Sequence, residues 1–176
     1  LHPIVFNDLF CLTDPRVHTI SVGAARPSDL DLHLQAVAQL DRAGQLVPPV
    51  AERLQAALVE TLGAPWVETW QQGLPSWPET PGDINLPVLL WLHTLLEGWG
   101  LESYAKARYG LLGNGSHWFP GRNAARFEAG ADEPAAVSAE QLDQVLASSP
   151  WREEIPAILR LLKQRLGGAS VRRLGP

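Results

Sequence analysis

The run Gly23-Ala24-Ala25-Arg26 leads straight into Pro27 at a helix start. Those residue types in that order could hold a phosphate. Main-chain N–H groups at a helix start attract anions, glycine permits close approach to the backbone, and an arginine can neutralise the charge. Tyr104, Lys106 and Tyr109 lie within YAKARY and could offer a proton donor beside a cation. Their tyrosines are five residues apart, however, and so face different sides of a helix, where packing is the simpler account. The five histidines, His2, His18, His33, His93 and His117, show neither H-x-x-x-H nor H-E-x-x-H spacing, which speaks against a metal site. His93 within an apolar helix, and His18, read as hydrogen-bonded core histidines. Ser21, Ser28 and Ser116 lack a G-x-S-x-G context. Asn114-Gly115-Ser116 matches a glycosylation sequon, but a turn accounts for it as well. The aromatic knot His117-Trp118-Phe119-Pro120 reads as loop packing.

Composition narrows the classes. The chain has 176 residues, enough for one domain or two small ones with a real core. A net charge of −5 with scattered basic residues leaves no footprint for nucleic acid, and Arg172 and Arg173 read as a solvated end. One cysteine, Cys11, excludes an internal disulfide framework and a thiolate cage, and fits a reducing, cytoplasmic setting. The longest apolar run, Leu86 to Leu96, is too short for a bilayer and contains Pro87 and His93. No signal peptide is visible. The opening Leu-His-Pro and the absence of methionine read as the tail of a longer polypeptide.

The elements that would position these residues are mostly helical. Ile4, Val5, Leu9 and Leu12 predict a helix over 4–13, stopped by Asp14-Pro15. Val17 to Val22 is rich in β-branched residues and predicts a buried strand over 17–22, ended by Gly23. Leu30, Leu34 and Val37 predict a helix over 27–40 that opens at Pro27 or Ser28. Further helices are predicted over 47–62, 65–72, 86–99, 101–112, 138–147 and 153–166. The helix over 86–99 is apolar nearly all round and belongs at the centre of its unit. One repeat stands out. Thr80-Pro81 is followed by Leu86-Pro87 and then Leu89, Leu90 and Leu92. Ser149-Pro150 is followed by Ile155-Pro156 and then Ile158, Leu159 and Leu161. Each second proline suits the first turn of a helix, where its missing N–H costs nothing.

Two of these segments carry a resemblance. PRVHTISVGAARPSDLDLHLQAVAQL, residues 15–40, resembles the last strand and last helix of the aldo/keto reductase barrel. Residues from about 70 to 166, including GLESYAKARYGLLGNGSHWFPGRN, resemble the α-helical ferredoxin-like extension that follows the barrel in one branch of those oxidoreductases. The resemblance implies a mostly α chain in two parts. Residues 1–45 would be the end of a (β/α)8 barrel, with its last strand at 17–22 and last helix at 27–40. Residues 46–176 would be a ferredoxin-like helical extension.

The resemblance also implies a chemistry. It makes Gly23, Ala24, Ala25 and Arg26 the loop for the adenosine end of NADP or NAD. Asp29 stands where relatives often carry arginine, and Leu32-His33 where they carry Glu-Asn near the adenine, so the choice between the two cofactors stays open. The catalytic tyrosine, lysine, aspartate and histidine would lie on earlier strands of the same polypeptide, acting on a small carbonyl substrate. No nucleic acid or membrane partner is implied. The cysteines of the ferredoxin-like frame would fall on Gln71, Leu74, Trp77, Thr80 and Ser149, none of which supplies a thiolate, so no iron–sulfur cluster is expected. Trp77, Trp118 and Trp151 are then expected to fill the volume a cluster takes in relatives. The alternative from a different class is a non-catalytic helical interaction or scaffold module.

Overall fold

Local start and stop signals lay this chain out as a series of helices. The computed structural model describes residues 1–110, 118–130 and 132–168; the Asn114 sequon, His117, Arg172 and Arg173 lie outside them. The described residues are mostly helical and form no strand; a lone parallel bridge joins Phe127 to Val137. Two compact units result, Leu1–Ala56 and the residues from Ala57 onward, with the boundary inside a helix.

The first unit contains α1 (Pro3–Leu12), α2 (Pro27–Val37), a 3-10 turn at Leu40–Arg42, α3 (Ala43–Leu46) and the opening turns of α4 (Pro48–Leu62). His2 Nδ1 accepts the Ile4 N–H at 3.2 Å and so caps α1. Its small core is Val5 and Leu9 of α1, Ala36 of α2, and Ala43 and Val47, with Phe6, Leu32 and Leu46 packed on it. The strand expected over Val17–Val22 does not form. The segment carries no regular secondary structure: its β-branched residues favour a strand, but a ladder needs a second strand and none lies among the described residues. His18 is accordingly exposed and not in a core.

The second unit holds the end of α4, then α5 (Ala64–Thr69), α6 (Leu86–Trp99), α7 (Glu102–Gly110), α8 (Gly121–Ala124), α9 (Ala139–Val145) and α10 (Ile155–Leu166). The Asn85 side chain accepts the Val88 N–H at 3.2 Å to start α6. Gly100, at φ 64°, ends it, while the Leu101 N–H returns to the Leu95 carbonyl at 3.2 Å. Between these caps Leu86, Leu89, Leu90, Leu92, His93, Thr94, Leu95 and Leu96 are all buried, so α6 is the central helix its composition predicts. α10 packs against it through Ile158, Leu159, Leu162 and Leu166. The two halves of the repeat thus meet, although Leu162, and not Leu161, takes the inward place.

The hydroxyls before each first proline are buried and spent on the local backbone. Thr80 Oγ1 donates to the Ser76 carbonyl at 3.2 Å, and Ser149 Oγ accepts the Trp151 N–H at 3.2 Å. The filling tryptophan is mainly Trp66, whose Nε1–H donates to Thr94 Oγ1 at 2.9 Å. Trp151 meets its ring at 4.9 Å and donates to Thr69 Oγ1 at 3.0 Å. Trp77 and Trp118 are exposed and cannot fill an interior, which corrects the expectation for both.

His93 sits edge-on to Trp66 at 5.2 Å with Nδ1 buried and lacking a partner among the described residues. Burial pushes its imidazole below the ordinary histidine range, partly offset by Glu97 and reinforced by Arg165. The unfolded chain therefore takes up a proton near pH 6.5 that the folded state resists, and stability falls as pH drops through that value. His93→Leu is expected to flatten this acid limb, read as thermal unfolding by tryptophan fluorescence between pH 7.5 and 5. All seven tryptophans belong to the second unit, so the signal reports on it alone.

Gly73 closes the turn after α5 at φ 67°, where a Cβ would stand 2.0 Å from the Ser148 carbonyl oxygen. Gly73→Ala is expected to cost about 3 kcal/mol in urea unfolding, from overpacking plus the left-handed backbone. Gly130→Ala, with open space and no positive φ, is expected to be near neutral.

Candidate functional site

The expected anion loop stands at the start of α2, and its chemistry is set by what already occupies it. Asp29, in the first turn, accepts the Ala25 N–H at 2.9 Å and the Arg26 N–H at 3.0 Å through one carboxylate oxygen. This is a helix cap of the ordinary kind. It spends the two donors that a phosphate would use, and it places a negative charge in the cradle. Ala24 is exposed. Arg26 is exposed, and its guanidinium makes no ion pair among the described residues. Gly23 is also exposed; a Cβ built on it would meet nothing within 4 Å, and its φ is not positive. The fold itself does not require glycine there. All four predicted residues thus lie together on one exposed turn, with Arg26 as the side chain available to an anion.

The segment that leads into this turn is unusual. Val17 N–H bonds back to the Asp14 carbonyl at 2.9 Å, but the N–H groups of residues 18–24 have no partner among the described residues. Beside the segment runs a groove of about 460 Å³. Ile20 and Val22 line one side, and Leu30, Leu34 and Val37 of α2 line the other, with Leu12 of α1, Asp8 and His33. The leucine stripe that marks α2 as a helix therefore faces outward. Leu30, Leu34 and Val37 are 51%, 68% and 58% exposed, while Ala36 alone is buried.

His33, at a position the resemblance puts near an adenine, is engaged with Asp8 and the Gly23 carbonyl. Its Nδ1 lies 2.6 Å from Asp8 Oδ2 of α1, and its Nε2 lies 3.4 Å from the Gly23 carbonyl oxygen. The Asp8 carboxylate first, then the Gly23 carbonyl and Asp29, raise the histidine pKa above its usual value against the opposing effect of burial. Sequence reasoning missed this pair because its members are 25 positions apart. The one local signal was a carboxylate on the apolar side of α1, between Val5 and Leu9.

The other candidates are scattered. Cys11 is exposed on α1. Tyr109 is buried, its hydroxyl unpartnered among the described residues and its pKa pushed up to about 12 by burial. Tyr104 packs edge-on to Trp91 at 6.0 Å and accepts a hydrogen bond from Arg108, while Lys106 pairs with Glu102 at 2.6 Å. The three residues of YAKARY do not converge. Among the described residues no group of three or more His, Cys, Asp and Glu could hold a metal ion, and no helix is long and apolar enough to cross a membrane.

Comparison with known proteins returns no counterpart: no family model matches the chain, and no curated protein or solved structure is significantly similar to it.

Proposed function

We propose that the chain supplies the cofactor-side end of an NAD(P)H-dependent aldo/keto reductase working in the cytoplasm. Residues 1–45 would close the barrel, and residues 46–176 would form a helical, ferredoxin-like extension without a cluster. The catalytic acid and its partners lie on earlier strands of the same polypeptide, and hydride passes between the nicotinamide and a small carbonyl compound. One observation carries this reading. Residues 18–24, β-branched at Thr19, Ile20 and Val22, have their N–H groups unspent among the described residues, and they run directly into the exposed Gly23–Arg26 turn at the start of α2. That is the arrangement of a sheet strand delivering a binding loop at its end.

In this role Arg26 would pair with an adenosine phosphate, and Gly23 would let the cofactor pass close to the backbone. Asp29 would work against a 2′-phosphate, since it already fills the Ala25 and Arg26 N–H groups. That same occupancy favours the second reading, a non-catalytic interaction module in which the turn binds no nucleotide.

The test is NADPH fluorescence titration of the chain joined to the barrel it is proposed to close. The reductase reading expects saturable binding, weakened roughly tenfold or more by Arg26→Ala, as loss of a charge-assisted hydrogen bond implies. It also expects Asp29→Asn to strengthen binding of NADPH relative to NADH. An intact barrel that binds neither cofactor at millimolar concentration overturns the reading and leaves the interaction module.

A further inference from the structure

The Asp8–His33–Gly23 contact has a stoichiometry of protons that only one form of histidine satisfies. Both groups facing the ring, a carboxylate and a carbonyl, are acceptors. Only the imidazolium carries two N–H groups, so only the charged ring can donate to both at once. The neutral ring has one N–H. The 2.6 Å contact to Asp8 keeps it, and the Nε2 lone pair then faces the Gly23 oxygen lone pair at 3.4 Å. Asp8 and His33 are themselves largely buried, with side chains 10% and 15% exposed, so the carboxylate has little water to take the place of its partner.

The Gly23 carbonyl matters because it is the sole anchor of its kind. Among the described residues no other hydrogen bond ties residues 18–24 to the helices. The Asp29 cap begins only at Ala25. Whether this segment lies against the α1–α2 pair therefore turns on one weak bond and on the contacts of Ile20 and Val22 in the groove.

We propose that His33 is a proton-operated latch. As imidazolium it ties the Gly23 carbonyl to Asp8 and holds the segment 19–23 against α1 and α2; on losing its proton it keeps Asp8, releases Gly23 and frees the segment. The inference stands on the geometry of α1, α2 and their connection, and it is independent of whether the turn meets a nucleotide. The charged groups acting on the ring are Asp8 from α1 and Asp29 from its own helix, and the connection contributes the Gly23 carbonyl. α3 carries no titratable side chain. Because these groups raise the folded-state pKa, the stabilisation from the pair is fully present below the unfolded value near 6.5 and is lost as pH rises through the folded value.

The experiment is a nuclear magnetic resonance titration of the chain from pH 5.5 to 9. It follows the His33 ring nitrogens together with backbone order parameters of residues 19–24. The latch predicts order parameters near the rigid value of about 0.85 at low pH, falling below about 0.6 with the midpoint of the ring titration. His33→Gln, which has no titrating ring, should abolish the pH dependence. Asp8→Asn should move the ring midpoint and the mobility midpoint down together. Order parameters that stay constant through the His33 titration overturn the proposal. So does a transition that survives in His33→Gln, or one that stays in place in Asp8→Asn while the ring midpoint moves.

Discussion

Every backbone N–H and C=O must be paired or left in water, and this constraint shapes the first unit. The connection between α1 and α2 is irregular and leaves the N–H groups of residues 18–24 without a partner among the described residues. Its apolar side chains, Ile20 and Val22, stand across a groove from Leu30, Leu34 and Val37. In a sheet layer, side chains on one face of a strand pack on the covering helix while the main chain pairs sideways with neighbouring strands. Here Ile20 and Val22 share a groove with α2, and no neighbouring strand lies among the described residues. The exposed leucine stripe of α2 and the unspent N–H groups thus lie beside one another at the same groove. Asp8 and His33 join the helices behind it, and Asp29 sets the turn that ends it.

The second unit rests on a different economy, in which helix α6 is buried almost throughout and its few polar groups must be matched. Thr94 is matched by the Trp66 indole and the Leu90 carbonyl, at 2.9 Å each, and Trp151 finds Thr69. His93 Nδ1 and the Tyr109 hydroxyl are the exceptions. Thr80 and Ser149, at equivalent places in the repeat, turn their hydroxyls to neighbouring main chain and so complete two similar proline-led helix starts. Lys163 reaches the carbonyls of Ala125 and Phe127 at 3.1 Å, which fastens the irregular segment before α9 to α10.

Much of the helical layout was legible because helix starts are local. Pro27, Pro48, Pro87 and Pro156 each sit in the first turn of the helix expected at that place, and Gly100 ends α6 as a left-handed cap. The strand expected at Val17–Val22 does not form, since β-branched residues favour strand backbone while a ladder depends on a distant partner. The role of Asp29 was half legible: it was seen as a charge near the anion loop, but its capping bonds to Ala25 and Arg26 depend on the turn geometry. The Asp8–His33 pair was invisible because contact across 25 positions leaves no spacing pattern. Trp77 and Trp118 show a different error, in which the ferredoxin-like frame suggested an interior place that exposure denies.

The central proposal is that residues 18–22 become a strand when the barrel they are proposed to close is present. Amide hydrogen exchange measures it most directly, with the chain alone compared with the same chain joined to the barrel it is proposed to close. The account predicts exchange at nearly unprotected rates in the chain alone, and strong protection of at least alternate amides once the sheet is present. Equal exchange in both states, or protection already in the chain alone, would contradict it.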